Sequence, residues 1–86
     1  MPRISEFFGI VIYMYYREHA PPHFHAEYGG EEVLISIRDL SVLKGRIAAR
    51  ALGLVMEWAA LHQADLLHVW ELARALEPLP TIEPLQ

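Results

Sequence analysis

Cysteine is absent from the 86 residues, which removes disulfide frameworks, thiolate zinc sites, iron–sulfur clusters and cysteine nucleophiles together. Any metal centre must therefore be built from His, Asp and Glu. Lysine is almost absent too: Lys44 stands alone among seven cations, and Arg3, Arg17, Arg38, Arg46, Arg50 and Arg74 supply planar forks suited to carboxylate or phosphate. Eleven acidic residues against those seven cations leave a net charge of −4, so no global field holds a phosphate backbone and any nucleic-acid contact must be local. Long apolar runs are missing as well, since no stretch nears the roughly 18 residues of a membrane helix. The opening Met1-Pro2-Arg3-Ile4-Ser5-Glu6 has no basic segment leading into an apolar one. No membrane association and a cytoplasmic address are the expectations.

What is present is apolar: 53% of residues are hydrophobic and only 21% charged, the opposite of the composition of disordered chains. A domain this small buries only roughly 60–65% of the surface its unfolded chain exposes. The surplus predicts a homo-oligomer or a complex with a protein partner.

The chain reads as one α+β domain, with a three- or four-stranded antiparallel sheet followed by two C-terminal helices on one face. Phe7 to Tyr16 is β-branched and aromatic, which suits a central strand. Pro21-Pro22 marks a connection. Residues 23–28 and 31–37 flank Gly29-Gly30, a two-residue hairpin signal that predicts Tyr28 opposite Glu31, Ala26 opposite Val33, Phe24 opposite Ile35 and His23 opposite Ser36. Residues 42–44 form a short fourth strand. Positions 51, 55, 58, 62, 66, 69, 73 and 76 make an amphipathic stripe. One rod of 30 residues would run about 45 Å at 1.5 Å per residue, so helices over 47–62 and 65–76 are expected, with a break between His62 and Asp65 and Asp65 or a neighbour as cap. The tail over 77–86 carries Pro78, Pro80 and Pro84 and should be extended.

The densest chemistry is His19-Ala20-Pro21-Pro22-His23-Phe24-His25-Ala26-Glu27. Strand alternation puts His23, His25 and Glu27 on one face and Phe24, Ala26 and Tyr28 on the other. The hairpin register adds Glu32 and Ser36 to the histidine face, with Arg38 following and His19 just upstream. Two chemistries fit such a set. It binds a divalent metal through His23, His25 and a Glu, or it cleaves a phosphodiester with histidines as general acid and base, Arg38 or Arg50 stabilising charge and Glu27 or Glu32 orienting an imidazole. A solvated strand face with surface hydrogen bonds is the plainer alternative. Trp58 and His62, one helical turn apart, read as a core tryptophan stacked on a histidine at a helix end. Glu71 and Arg74 read as a helix-surface ion pair.

Met1-Pro2-x-Ile4, Phe7-Phe8-Gly9-Ile10, Met14-Tyr15-Tyr16, Pro21-Pro22-His23-Phe24-His25-Ala26, Glu57-Trp58-Ala59 with His62, Trp70-Glu71 and Ile82-Glu83-Pro84-Leu85 together resemble the small bacterial domain of unknown function numbered four-one-six-zero. The resemblance spans nearly the whole chain, departing at Arg46-Ile47-Ala48, where a Leu-Pro-like helix start is expected. It implies a member of a two-gene pair suspected to be a toxin–antitoxin module, with a small antitoxin-like protein as partner. Under that implication RNA is the expected substrate of the histidine face. The competing expectation is a non-catalytic interaction module whose histidines are structural or bind metal. The resemblance assigns no catalytic role, so Glu57 enters as a candidate binding residue by its place in the signature, and His62 by its place and by the alternative that it points back toward the sheet and joins His23 or His25.

Overall fold

In the computed structural model, which describes residues 2–86, period-two alternation produces five strands. They are β1 (Arg3–Phe7), β2 (Ile10–Tyr13), β3 (His23–Tyr28), β4 (Glu31–Ser36) and β5 (Val42–Gly45), ordered β1-β2-β3-β4-β5 in one antiparallel meander. Two helices follow, α1 (Ala49–Leu61) and α2 (Gln63–Arg74). The fold is α+β, with five strands where three or four are expected.

The extra strand comes from the apolar run at the start. Phe7 to Tyr16 is not one strand: Phe8 (φ 50) and Gly9 (φ 79) turn the chain back, so that Phe7 pairs with Ile10 and Arg3 with Tyr13. A bulky aromatic in the left-handed region is an unusual turn residue, and it hides the hairpin within a hydrophobic stretch. The β3–β4 hairpin has the predicted register, with His23 opposite Ser36, Phe24 opposite Ile35, Ala26 opposite Val33 and Tyr28 opposite Glu31. Gly29 and Gly30 both take positive φ, as a tight primed turn demands.

The helices cover the face carrying Phe24, Ala26, Val33, Ile35, Ile10 and Ile12, and these pack in one core with Val55, Trp58, Leu66 and Val69. Of the predicted stripe, residues 51, 55, 58, 66, 69 and 73 are buried. The break falls at His62 (φ −126, ψ 24), which ends α1 and begins α2. Asp65 is not the cap; it sits in the first turn of α2, its Oδ2 3.4 Å from His62 Nδ1. Gln63 donates from Nε2 to the carbonyls of Ile37 (2.8 Å) and Arg38 (3.1 Å), pinning the start of α2 to the end of the sheet.

The tail is part of the body. Ile82 is buried and its N–H donates to the Ile4 carbonyl (2.8 Å) on the outer side of β1, while Trp58 Nε1 donates to the Glu83 carbonyl (2.8 Å). Apolar surface left outside includes Phe8, Tyr28, Val42, Leu43 and Leu61. Among the described residues no helix is long and apolar enough to cross a membrane.

Two glycines should respond oppositely to alanine. At Gly45 (φ +81) a Cβ would come within 2.2 Å of the Glu32 carbonyl oxygen, in the backbone of the neighbouring strand. Gly45→Ala is therefore expected to cost about 2 kcal/mol or more. Gly53, exposed within α1 with nothing near its Cβ position, should gain about 0.5–1 kcal/mol as alanine. Denaturant midpoints measure both; a neutral Gly45→Ala would contradict the β4–β5 pairing.

Candidate functional site

Alternation along β3 sends Phe24 and Ala26 into the helix-covered core and His23 and His25 to the opposite side of the sheet. That side is closed over the histidines by the connection between β2 and β3. Both are buried, at 6% and 5% exposure. His25 stacks on Tyr13 (centroids 4.9 Å, planes 15° apart) and meets the edge of Tyr15 at 4.9 Å. His23 lies against Trp70 of α2 at 5.2 Å.

The group that brings them together is Glu18. Its Oε2 is 3.2 Å from His23 Nε2, and its two oxygens are 2.8 and 2.9 Å from His25 Nε2. The Tyr15 N–H also donates to it, at 3.3 Å. Burial alone would raise the Glu18 carboxyl. The hydrogen bond and charge of His25, the bond to His23 and the Tyr15 N–H outweigh that effect and hold it below its ordinary 4.5.

The protons follow from the partners. His23 Nδ1 lies 2.8 Å from the Pro21 carbonyl, which can only accept, so Nδ1 carries hydrogen. In the neutral ring Nε2 is then a bare lone pair aimed at a carboxylate. His25 donates from Nε2 to Glu18, and its buried Nδ1 has no hydrogen-bond partner among the described residues; Glu32 Oε2 is 3.7 Å away. The bare His23 Nε2 facing a carboxylate calls for a cation between them, either a proton or a metal ion.

A metal fits. One ligand atom from each of Glu18, His23 and His25 lies within 4.8 Å of the others. A tetrahedral ion with bonds of about 2.0–2.2 Å to nitrogen and oxygen holds its ligands about 3.3–3.6 Å apart, a little wider than the 2.8–3.2 Å that separate Glu18 from the imidazoles. The Pro21 carbonyl on His23 Nδ1 is the outer partner that ligating histidines ordinarily have.

The other predicted residues divide. Glu32 borders the cluster through its contact with His25. Glu27 is exposed farther along β3, opposite Glu32. His19 lines an open cleft beside Glu18, together with Arg17, Ala20 and Arg74. Arg38 gives its carbonyl to Gln63, while Arg50 lines a separate hollow with Phe8 and Tyr28. Glu57 is exposed on α1. His62 lies with Trp58 (5.5 Å) and Asp65, apart from the histidine pair. The expected Glu71–Arg74 ion pair does not form among the described residues; Arg74 borders the cleft instead. Sequence reasoning passes over Glu18, although it is the one acid between β2 and the histidines.

A family model described as a domain of unknown function, DUF4160, matches residues 9–71. No curated protein and no solved structure matches the chain.

Without metal, Glu18→Gln should cost about 1–2 kcal/mol, because the replacement cannot satisfy both imidazoles as an anion. A carboxyl held below its ordinary value contributes stability that is complete above pH 4.5 and is lost as pH falls through the lowered value. The gap between the two proteins in thermal midpoint should therefore close toward acid, and a gap that widened there would contradict the assignment.

Proposed function

From the premise that the chain belongs to the DUF4160 family, we propose that it is a divalent-metal-binding domain whose site acts on a phosphodiester. In this reading it is the toxin-like member of a two-gene module held inactive by a small protein partner, with RNA as its target. The observation that carries the metal is the convergence of His23 Nε2, His25 Nε2 and the Glu18 carboxylate within 4.8 Å. Two histidines and one carboxylate suit zinc, manganese, iron or nickel. Such an ion, when bound, supplies Lewis-acid polarisation of a phosphoryl oxygen and activation of water.

Burial supports the metal reading over general acid–base catalysis by the histidines. At 8% and 6% side-chain exposure, with both Nε2 atoms on Glu18, neither imidazole reaches a polymer's phosphate as a general acid or base. Geometry comes first for that role. Glu18, at 19%, reaches both the buried pair and the cleft. The work of the chain is then positioning: the Pro21 carbonyl fixes the His23 ring, Tyr13 and Tyr15 pack the His25 ring, and Glu32 sits beside its Nδ1.

The same contacts favour a second reading, a non-catalytic interaction module in which the ion fastens the β2–β3 connection to the sheet. Phe8, Tyr28, Val42 and Leu43 provide exposed apolar surface for a partner in either case.

Zinc, manganese or nickel at 100-fold its dissociation constant stabilises a native-only site by about 2.7 kcal/mol, a rise on the order of 10 °C in thermal midpoint for a domain of this size. One ion per chain is expected, with the rise lost in Glu18→Gln and His23→Ala. No shift with any of the three ions would end the metal reading. Expression alone should arrest growth, with relief by the partner protein; metal loading with harmless expression and intact cellular RNA would leave the interaction module.

A further inference from the structure

The cleft beside Glu18 is cationic in a chain that is not. Its walls are Arg17, Glu18, His19, Ala20 and Arg74, around a volume of about 460 Å³. Arg17 and Arg74 are two of only seven cations, and the net charge is −4. They come from different elements, the β2–β3 connection and the last residue of α2. Neither guanidinium makes a hydrogen bond or ion pair among the described residues. The one carboxylate in the wall is already held by His23 and His25.

The macrodipole accounts for an arginine at the C-terminus of α2, but it gives no reason for Arg17. That residue takes φ 56, a left-handed backbone that costs a non-glycine residue free energy and is common where a site is being shaped. It is the turn that places Arg17 on the cleft and Glu18 against the histidines.

We infer that this cleft is a phosphate-recognition pocket, in which Arg17 and Arg74 hold the phosphate of a nucleotide-sized ester next to the Glu18–His23–His25 centre. The assignment builds on the metal reading for what happens to the ester, but the binding step stands on the arginines. Arginine forks pair with phosphate oxygens through two parallel N–H···O bonds, and His19 adds a further donor at the rim. Size and charge narrow the substrate. The volume falls at the lower end of the roughly 300–1,000 Å³ of small-molecule sites. Duplex binders neutralise on the order of 6–10 phosphates, whereas two guanidinia serve one. The occupant is a nucleoside monophosphate or the phosphorylated end of a single strand, not a duplex.

Isothermal titration with adenosine 5′-monophosphate, adenosine, a short RNA bearing a 5′-phosphate and the same RNA with a 5′-hydroxyl tests this. Both phosphorylated probes should bind and both unphosphorylated ones should not; tighter binding of the phosphorylated RNA than of the nucleotide would identify the strand end. Arg17→Gln and Arg74→Gln should each weaken binding about tenfold or more, with thermal midpoint and manganese stoichiometry unchanged. Phosphate binding that survives in the double variant, or RNA binding indifferent to its 5′-phosphate, would overturn the pocket. Manganese loading without nucleotide binding rejects the pocket and spares the metal centre. Arginine-dependent nucleotide binding without manganese loading does the reverse.

Discussion

The alternation of β3, clamped in register by Gly29 and Gly30, is the constraint that both faces of the sheet obey. Phe24 and Ala26 enter the core beneath the helices, and the same geometry sends His23 and His25 to the other side. A slip by one residue would exchange them, putting two imidazoles among Val55, Trp58 and Leu66 and two apolar groups beside Glu18. Neither exchange is tolerable. The core would hold unpaired polar nitrogens, each costing about 1–3 kcal/mol, and Glu18 would lose both imidazole partners. The hydrophobic core and the polar cluster thus enforce one register from opposite faces.

The second face is closed differently from the first. Helices bring long apolar stripes, whereas here the β2–β3 connection brings Glu18 onto two imidazoles, Tyr15 onto His25 and the Pro21 carbonyl onto His23, beside Tyr13 of β2 and Trp70 of α2. Closure on this side rests on the hydrogen bonds of Glu18 to both imidazoles together with the rings packed on them.

Much of this was legible in the residues themselves. Two glycines between short strand-like runs yield the full β3–β4 register, and the three-four spacing from Ala51 to Ala73 yields the buried helix stripe. The break at His62 is legible only from length, because neither Gly nor Pro marks it; Gln63 reaching the carbonyls of Ile37 and Arg38 is a contact 26 and 25 residues away that no local pattern announces. Phe8 conceals a turn within an apolar run, since propensity favours a strand and the paired strand overrides it. Glu18 is hidden for another reason. It lies five and seven residues before its histidines, across a connection whose path depends on the turn at Arg17. The tail, extended as its prolines require, is spoken for by Trp58 and Ile4, so part of the apolar surplus is consumed within the chain.

A purely structural role leaves the cluster's composition hard to justify. Buried ionic groups can commonly be replaced by packed apolar ones of similar volume at no loss of stability, or with gain. Here the chain keeps two imidazoles and a carboxylate, leaves His25 Nδ1 buried without a hydrogen bond among the described residues, and turns His23 Nε2 toward a carboxylate. Leu or Phe at positions 23 and 25 would close the face without those costs. What apolar residues could not do is place two imidazole nitrogens on a carboxylate that shares a wall with a cleft holding Arg17 and Arg74. Glu18 alone belongs to both environments, and its position makes the polar burial intelligible as the floor of a site.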